Sequence, residues 1–391
     1  MKLFKSLLVA PATLGLLAPM SVTANEINLA GVSNYSSSEE IETISEFNPA
    51  KEIAVTNSRV DGLEARFNNL EAGAFSETTT ASFSADFAIG AVDGLGLSTN
   101  VTDGQEAITA GYSFQIDLNT SFTGEDSFDV SIDAGNSDDG TLDELDLNDG
   151  GDKLTVDGIA YTFPLGDKTT VFVGDSMDGS TLYSTACVYG GVTDVLDDCG
   201  NGNSAMAGGA GTAFGASYDI GNGFTGAIGY TGDGTTEGLM TKEGSDTYGG
   251  QLSYAADSYG ASVTYAIANT STTDTTYWGL NGYWTPSDSG SMPSISVGYE
   301  TGDPDSATGK DTEQWFVGLQ WDEVGAGTLG AAVGTVGAID EGDTDIYQYE
   351  AFYSYAINDG VTVTPLVYMK ESATAGTLDQ TGVMVKTSFS F

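Results

Sequence analysis

The side chains of this 391-residue chain that could do chemistry are nearly all carboxylates: 56 Asp and Glu stand against 11 Lys and Arg, with no His and two Cys. A pair of carboxylates hydrolyses glycosides when one is held protonated and the other ionised, but among so many acids close pairs arise by chance. Nothing in their surroundings marks a general acid, so no enzyme is expected. The missing His removes the commonest metal ligand and general base. The run DELDLNDGGD, with Asp146, Asn148 and Asp149, offers oxygen ligands for calcium. It lacks the ordered spacing and terminal Glu of an EF-hand loop and reads as a solvated external loop. The glycine-rich AGGAGTAFG near Gly208 has no following Lys-Ser or Lys-Thr, so a phosphate loop is unsupported; it suits a loop lying close to a wall. No metal and no cofactor is assigned, and a formal net charge of −45 excludes nucleic acid as a partner.

The elements that must position these groups begin with an export signal. Residues 1–24 place Lys2 and Lys5 before an apolar stretch and end on Val22-Thr23-Ala24, small residues suited to signal peptidase. No later run approaches the roughly 20 apolar residues a membrane helix needs. A polar segment, 25–50, leads into 51–72, where Ile53, Val60 and Phe67 recur every seven residues, as do Thr56, Leu63 and Leu70. So short a heptad helix, weakened by Gly62, forms when helices bundle; the alternative is an amphipathic helix packed on its own domain.

Beyond residue 78 the period becomes two. YSFQIDLN sets Tyr112, Phe114, Ile116 and Leu118 against Ser113, Gln115, Asp117 and Asn119, and FDVSIDA sets Phe128, Val130 and Ile132 against Asp129, Ser131 and Asp133. Sixteen such strands are read between 80 and 391, and their connections alternate between long ones and tight ones such as TGED, PLGD, GNG and NDG. That alternation predicts an all-β, antiparallel transmembrane barrel over 78–391, with short turns on the periplasmic side and long loops outside. A barrel of this size keeps an aqueous channel. It also needs its last strand to close on its first, and the ending VMVKTSFSF fits, with Phe389 and Phe391 on the apolar face. Trp315, Trp321, Tyr347 and Tyr355 are expected in the aromatic girdles. By alternation Asp86, Asp117, Asp129, Asp133, Asp157 and Glu350 point into the lumen, and Lys386 is the one lysine placed clearly at mid-lumen. A lumen of one sign favours cations.

As an ordered set, LNTSFTGEDSFDVSIDAGN, AYTFPLGDKTTVFVG, WFVGLQWDEVG, TVTPLVYMK and TGVMVKTSFSF resemble the major outer-membrane porins of cyanobacteria, as do NEINLAGVSNYSSSEEI and RVDGLEARFNNLEA. The resemblance implies a homotrimer related to carbohydrate-selective porins, inserted in outer-membrane lipid by an assembly machinery that reads the terminal Phe389 and Phe391. It implies passage of ions and small hydrophilic solutes. Two departures stand out. The surface-layer-homology module that follows ISEF in that family has no counterpart here, so wall binding is not carried over. Glu125, Asp129 and Asp133 occupy the region where the family tends to have Lys or Arg, so solute preference is not carried over either.

Cys187 and Cys199 are close in sequence in the third long connection of an exported chain and are expected to pair, stabilising the loop by roughly 3 kcal/mol in the chain-entropy model. Two readings of the bridge stay open: a stiffened constriction, since the third loop of general porins folds into the pore, or a bridged surface loop. A second function also stays open, a barrel that anchors a structural or adhesive surface protein whose acidic loops bind calcium.

Overall fold

The computed structural model describes residues 78–95, 107–137, 140–145, 147–148, 151–197, 199, 211–234, 238–242, 244–270, 272–287, 292–373 and 376–391. The signal segment 1–24, the polar segment 25–50 and the heptad segment 51–72, with Ile53, Val60, Leu63, Phe67 and Leu70, lie outside these residues, as do Asp146, Asp149 and Gly208.

Along the chain run β1 (Thr79–Asp93), β2 (Thr109–Thr120), β3 (Ser127–Gly135), β4 (Thr155–Pro164), β5 (Thr169–Met177), β6 (Gly211–Gly221), β7 (Phe224–Gly232) and β8 (Asp246–Ala255). They continue as β9 (Tyr259–Asn269), β10 (Asp274–Trp284), β11 (Ser294–Pro304), β12 (Thr312–Val324), β13 (Gly327–Thr335), β14 (Ile339–Asp340), β15 (Tyr347–Asn358), β16 (Val361–Lys370) and β17 (Gln380–Ser390). Apart from the two-residue β14, which pairs with β12, each strand is antiparallel to its chain neighbours, and β1 pairs with both β2 and β17. The result is a closed 16-stranded antiparallel barrel. Closure reaches the last residue, since Phe83 and Phe391 exchange two backbone hydrogen bonds of 3.0 Å. No edge is left unpaired, as a lipid-facing sheet requires.

Alternation sets the two faces. In β1, Phe87 and Ile89 are 56% and 51% exposed, whereas Ala88 and Val92 are 3% and 1% exposed. Residues opposite one another across a strand pair share a face, so the register carries this assignment around the wall. Aromatic side chains gather at both ends of the outer face. Trp315 and Tyr347 lie 5.7 Å apart at the ends of β12 and β15 that adjoin the long loops. The Phe83 and Phe391 rings stack at 5.7 Å at the opposite end.

Glycines permit the tight turn between β6 and β7: Gly221, Asn222 and Gly223 all have positive φ, 97°, 56° and 85°. The expected alternation of connection length fails at one place. The link between β9 and β10 is only four residues long, with Thr270 Oγ1 donating to the Thr273 carbonyl at 2.8 Å, while the link on the short-turn side, 285–293, is longer. Chain direction is unaffected, because register depends on the strands rather than on loop length.

Candidate functional site

The lumen is not an empty cylinder, because the loop between β5 and β6 turns inward and runs along the wall. A chain segment inside a barrel must find partners for its backbone polar groups, and inward amide and hydroxyl side chains supply them. Ser184 N donates to Gln251 Oε1 at 2.7 Å while Gln251 Nε2 donates to the Ser184 carbonyl at 3.0 Å. Asn281 Nδ2 donates to the Thr185 carbonyl at 2.9 Å, Ser296 Oγ accepts from Val188 N at 3.0 Å, and Gln320 Oε1 accepts from Gly190 N at 2.8 Å. Glycine provides the clearance: a Cβ on Gly229 would lie 1.8 Å from the Gly179 carbonyl oxygen, and one on Gly318 would lie 2.6 Å from the Tyr189 ring.

The track ends at Glu350. Its carboxylate accepts from the Tyr189 hydroxyl at 2.5 Å, Thr193 N at 2.9 Å, Thr193 Oγ1 at 2.7 Å and Val192 N at 3.4 Å. Burial, together with the Glu350 charge and hydrogen bond, pushes the Tyr189 hydroxyl well above the ordinary phenol range, so it stays protonated and donates. Cys187 and Cys199 are bonded, with Cα atoms 6.2 Å apart, and the Cys199 carbonyl abuts Gly298 of β11. The bridge therefore lies inside the barrel against the wall.

The loop between β3 and β4 also enters the barrel, which corrects the expectation of a solvated external loop at DELDLNDGGD. Leu142, Leu145 and Leu147 are buried in one cluster with Ala88, Val92, Phe352, Leu366, Tyr368 and Met384 of the inner wall and with Tyr189, Val192 and Leu196 of the other loop. Burial of these apolar side chains outweighs the solubility of their acidic neighbours. Glu144, in the 3-10 turn Asp143–Leu145, accepts from Gln348 Nε2 at 2.7 Å and pairs with Lys370.

The inner faces of β1, β2 and β3 carry Asp86, Asp117, Asp129 and Asp133. Asp129 is opposite Asn119 next to the tight turn, Asp117 is opposite Ser131, Asp133 is opposite Gln115, and Asp86 is opposite Ser113 one step further up. These four carboxylates climb the wall obliquely, about 7 Å per two residues along a strand. The hydrogen-bond donors on Asp117, Asp129 and Asp133 are neutral. Asn119 Nδ2 and Ser127 Oγ reach Asp129 at 2.5 Å and 2.6 Å, Gln115 Nε2 reaches Asp117 at 2.7 Å beside Ser131 Oγ, and Thr155 Oγ1 reaches Asp133 at 2.7 Å. Amides and hydroxyls orient a carboxylate without cancelling its charge.

The remaining predicted residues fall elsewhere. Glu350 is on the inner face but only 4% exposed beneath the β5–β6 loop, so it anchors that loop instead of lining open water. Asp157 is the extra residue of a bulge where the β3–β4 register slips between Ser131 and Ile132, so alternation does not set its direction. Lys386 is on the inner face opposite Ala88 and diagonal to Asp86. Phe389 and Phe391 are on the outer face, the latter 73% exposed.

Glu144, Tyr189, Gln251, Gln320 and Lys370 were not singled out from the sequence, although alternation places Gln251, Gln320 and Lys370 on the inner face. An uncharged amide facing water inside a barrel is the available signal, since it can both donate to and accept from a chain laid across it. Lys370 shares the face of Tyr368 and is opposite Gln348, which makes it a second inward lysine beside Lys386.

Among solved structures the chain is similar to an anion-selective porin from Comamonas acidovorans, with a TM-score of 0.55 and 13% identity over 80% of this chain and 99% of that one. It is similar to OprB of Pseudomonas putida in a high-pH structure, TM-score 0.55 and 13% identity over 80% and 94%, respectively. It is also similar to a loop L8 deletion mutant of OmpT, an outer-membrane protein of Vibrio cholerae, TM-score 0.54 and 12% identity over 81% and 100%. At such identity the likeness is one of fold: a 16-stranded porin barrel. No protein-family model matches the chain. No curated protein matches it in sequence.

Proposed function

We propose that this chain forms a water-filled channel in an outer membrane of the Gram-negative type, for passive diffusion of ions and small hydrophilic solutes, and that the channel prefers cations. The porin barrel supports the channel. The observation that carries the preference is the row Asp86, Asp117, Asp129 and Asp133 on the inner face of β1–β3, the first three partly exposed and Asp133 buried, with neutral donors on Asp117, Asp129 and Asp133. Carboxylates about 7 Å apart along a strand have overlapping fields at 0.1 M salt, where the Debye length is about 10 Å. A wall of one sign concentrates counter-ions. The experiment is the zero-current potential of the purified protein in a planar bilayer under a potassium chloride gradient. A cation-selective sign is expected, weakening as salt rises; an anion-selective sign would overturn the preference, and a silent bilayer the channel. The adhesive alternative needs loops that project outward, and both loops described above fold inward.

The proposal extends to export through a cleaved signal, homotrimer assembly aided by the heptad segment, and insertion signalled by Phe389 and Phe391. The outward, terminal position of Phe391 supports the last of these. Phe391→Ser is expected to lower the amount of protein reaching the outer membrane several-fold; wild-type amounts would remove the terminal aromatic as a signal.

A further inference from the structure

We infer that the β3–β4 loop is a second constriction of the pore, held in the lumen by a latch of Glu144, Lys370 and Gln348, and that Lys370 is a positioning residue for pore size and contributes no free charge to it. The inference rests on the channel reading. A barrel of this strand number keeps an aqueous interior unless something beyond wall side chains enters it. Two segments enter. The β5–β6 loop follows the wall from Gln251 to Glu350, and the β3–β4 loop adds Leu142, Leu145 and Leu147 over β15, β16, β17 and β1.

The two loops are joined, since Asp194 N donates to the Glu144 carbonyl at 2.9 Å and Leu145 and Leu147 share a cluster with Val192 and Leu196. The base of the β3–β4 loop is tied to β2, where the Asn136 side chain accepts from Tyr112 N at 2.9 Å. Among the described residues, its side-chain bonds to the far wall are those of Glu144. One carboxylate oxygen accepts from Gln348 Nε2 at 2.7 Å and the other pairs with Lys370, on adjacent strands β15 and β16. Glu144 and Gln348 are buried, and Lys370 is partly so. A buried carboxylate is held firmly only with its partners in place, and removing one leaves an uncompensated group that drives the segment toward water. The pairing also explains how the acidic lumen tolerates an inward lysine: Glu144 neutralises Lys370, whereas the donors on Asp117, Asp129 and Asp133 among the described residues are neutral.

The test compares the full chain with Glu144→Ala and Lys370→Ala in planar bilayers. Each substitution releases the loop, so single-channel conductance is expected to rise by about half or more in both. The zero-current potentials are expected to move in opposite directions, toward anions for Glu144→Ala, which bares Lys370, and toward cations for Lys370→Ala. A defect that merely loosened the barrel would move both potentials alike. A second measurement does not depend on conduction. With Leu145→Cys as reporter and the native cysteines bonded to each other, an impermeant maleimide is expected to label the protein slowly, and about tenfold faster once Lys370→Ala is added. Lys370→Gln takes its place if that variant fails to accumulate. Equal rates with and without the Lys370 substitution would overturn the latch. Fast labelling with wild-type conductance would overturn the constriction. A wild-type protein that conducts nothing would sink the channel reading, while the labelling rates would still decide whether the latch exists.

Discussion

The inner wall at β1–β3 and the inner wall at β8–β15 obey the same alternation yet differ in what they hold. Beneath the β5–β6 loop the inward polar groups are mostly Gln251, Asn281, Ser296 and Gln320, each bonded to loop backbone. At β1–β3 they are Asp86, Asp117, Asp129 and Asp133, and the donors on Asp117, Asp129 and Asp133 among the described residues are amides and hydroxyls of the wall itself. An amide can satisfy both the N–H and the carbonyl of a chain laid over it, as Gln251 does at Ser184, whereas a carboxylate only accepts. The inner face beneath the β5–β6 loop thus offers mostly groups that can partner loop backbone. Two carboxylates stand out there: at Glu350 the loop contributes only donors, and the buried Glu300 accepts from Gln314 of the wall at 2.9 Å.

The comparison breaks most sharply at Glu350. Glu350→Ala strips the acceptor from Tyr189, Val192 and Thr193, and leaving buried donors unpaired costs about 3 kcal/mol or more. A larger single-channel conductance and a lower unfolding temperature on heated gels are expected; wild-type values for both would mean the amide contacts alone hold the covered wall. A smaller effect is expected from Cys187→Ser combined with Cys199→Ser. This pair of changes frees a loop whose closure is worth roughly 3 kcal/mol at most in the chain-entropy model, while Glu350 still anchors it. Open-channel current noise should rise with the mean conductance little changed, and unaltered noise would show that the bridge does not stiffen the path.

The acidic wall at β1–β3 answers to a different probe. Asp117→Asn with Asp133→Asn removes two charges and keeps the shape, so the zero-current potential should shrink by an appreciable fraction while conductance and gel mobility hold. No shift would place both residues off the conducting path.

The smallest effect is at the foot of that wall. Burial works against the ionised Asp126 carboxylate, but hydrogen bonds from Tyr161, Thr123 and Ser121 outweigh it and hold the group well below the usual carboxylate range. Its contribution is therefore complete above the ordinary Asp value and is lost as pH falls through the lower native one. Asp126→Asn should flatten the acid end of the stability profile slightly; an unchanged profile would show that the turn does not depend on the charge.

Much of the barrel is legible in the chain itself, because a strand's faces are decided by a local period of two. Tyr112, Phe114, Ile116 and Leu118 against Ser113, Gln115, Asp117 and Asn119 already state which side of β2 meets lipid. The terminal aromatics likewise state that the last strand presents an apolar face. The spacing of Leu142, Leu145 and Leu147 follows no strand or helix period, so nothing local announces that this acidic stretch turns inward. That outcome depends on groups far apart in sequence: Glu144 meets Lys370 across 226 residues, and Tyr189 meets Glu350 across 161. Alternation by itself decided that Asp86, Asp117, Asp129, Asp133, Glu350 and Lys386 face inward, and it failed at Asp157, where a bulge breaks the period. Only the tertiary structure decided which of these inward charges a loop would cover, because burial of a loop is set by the whole circumference of wall it must cross, and no segment of the sequence contains that circumference.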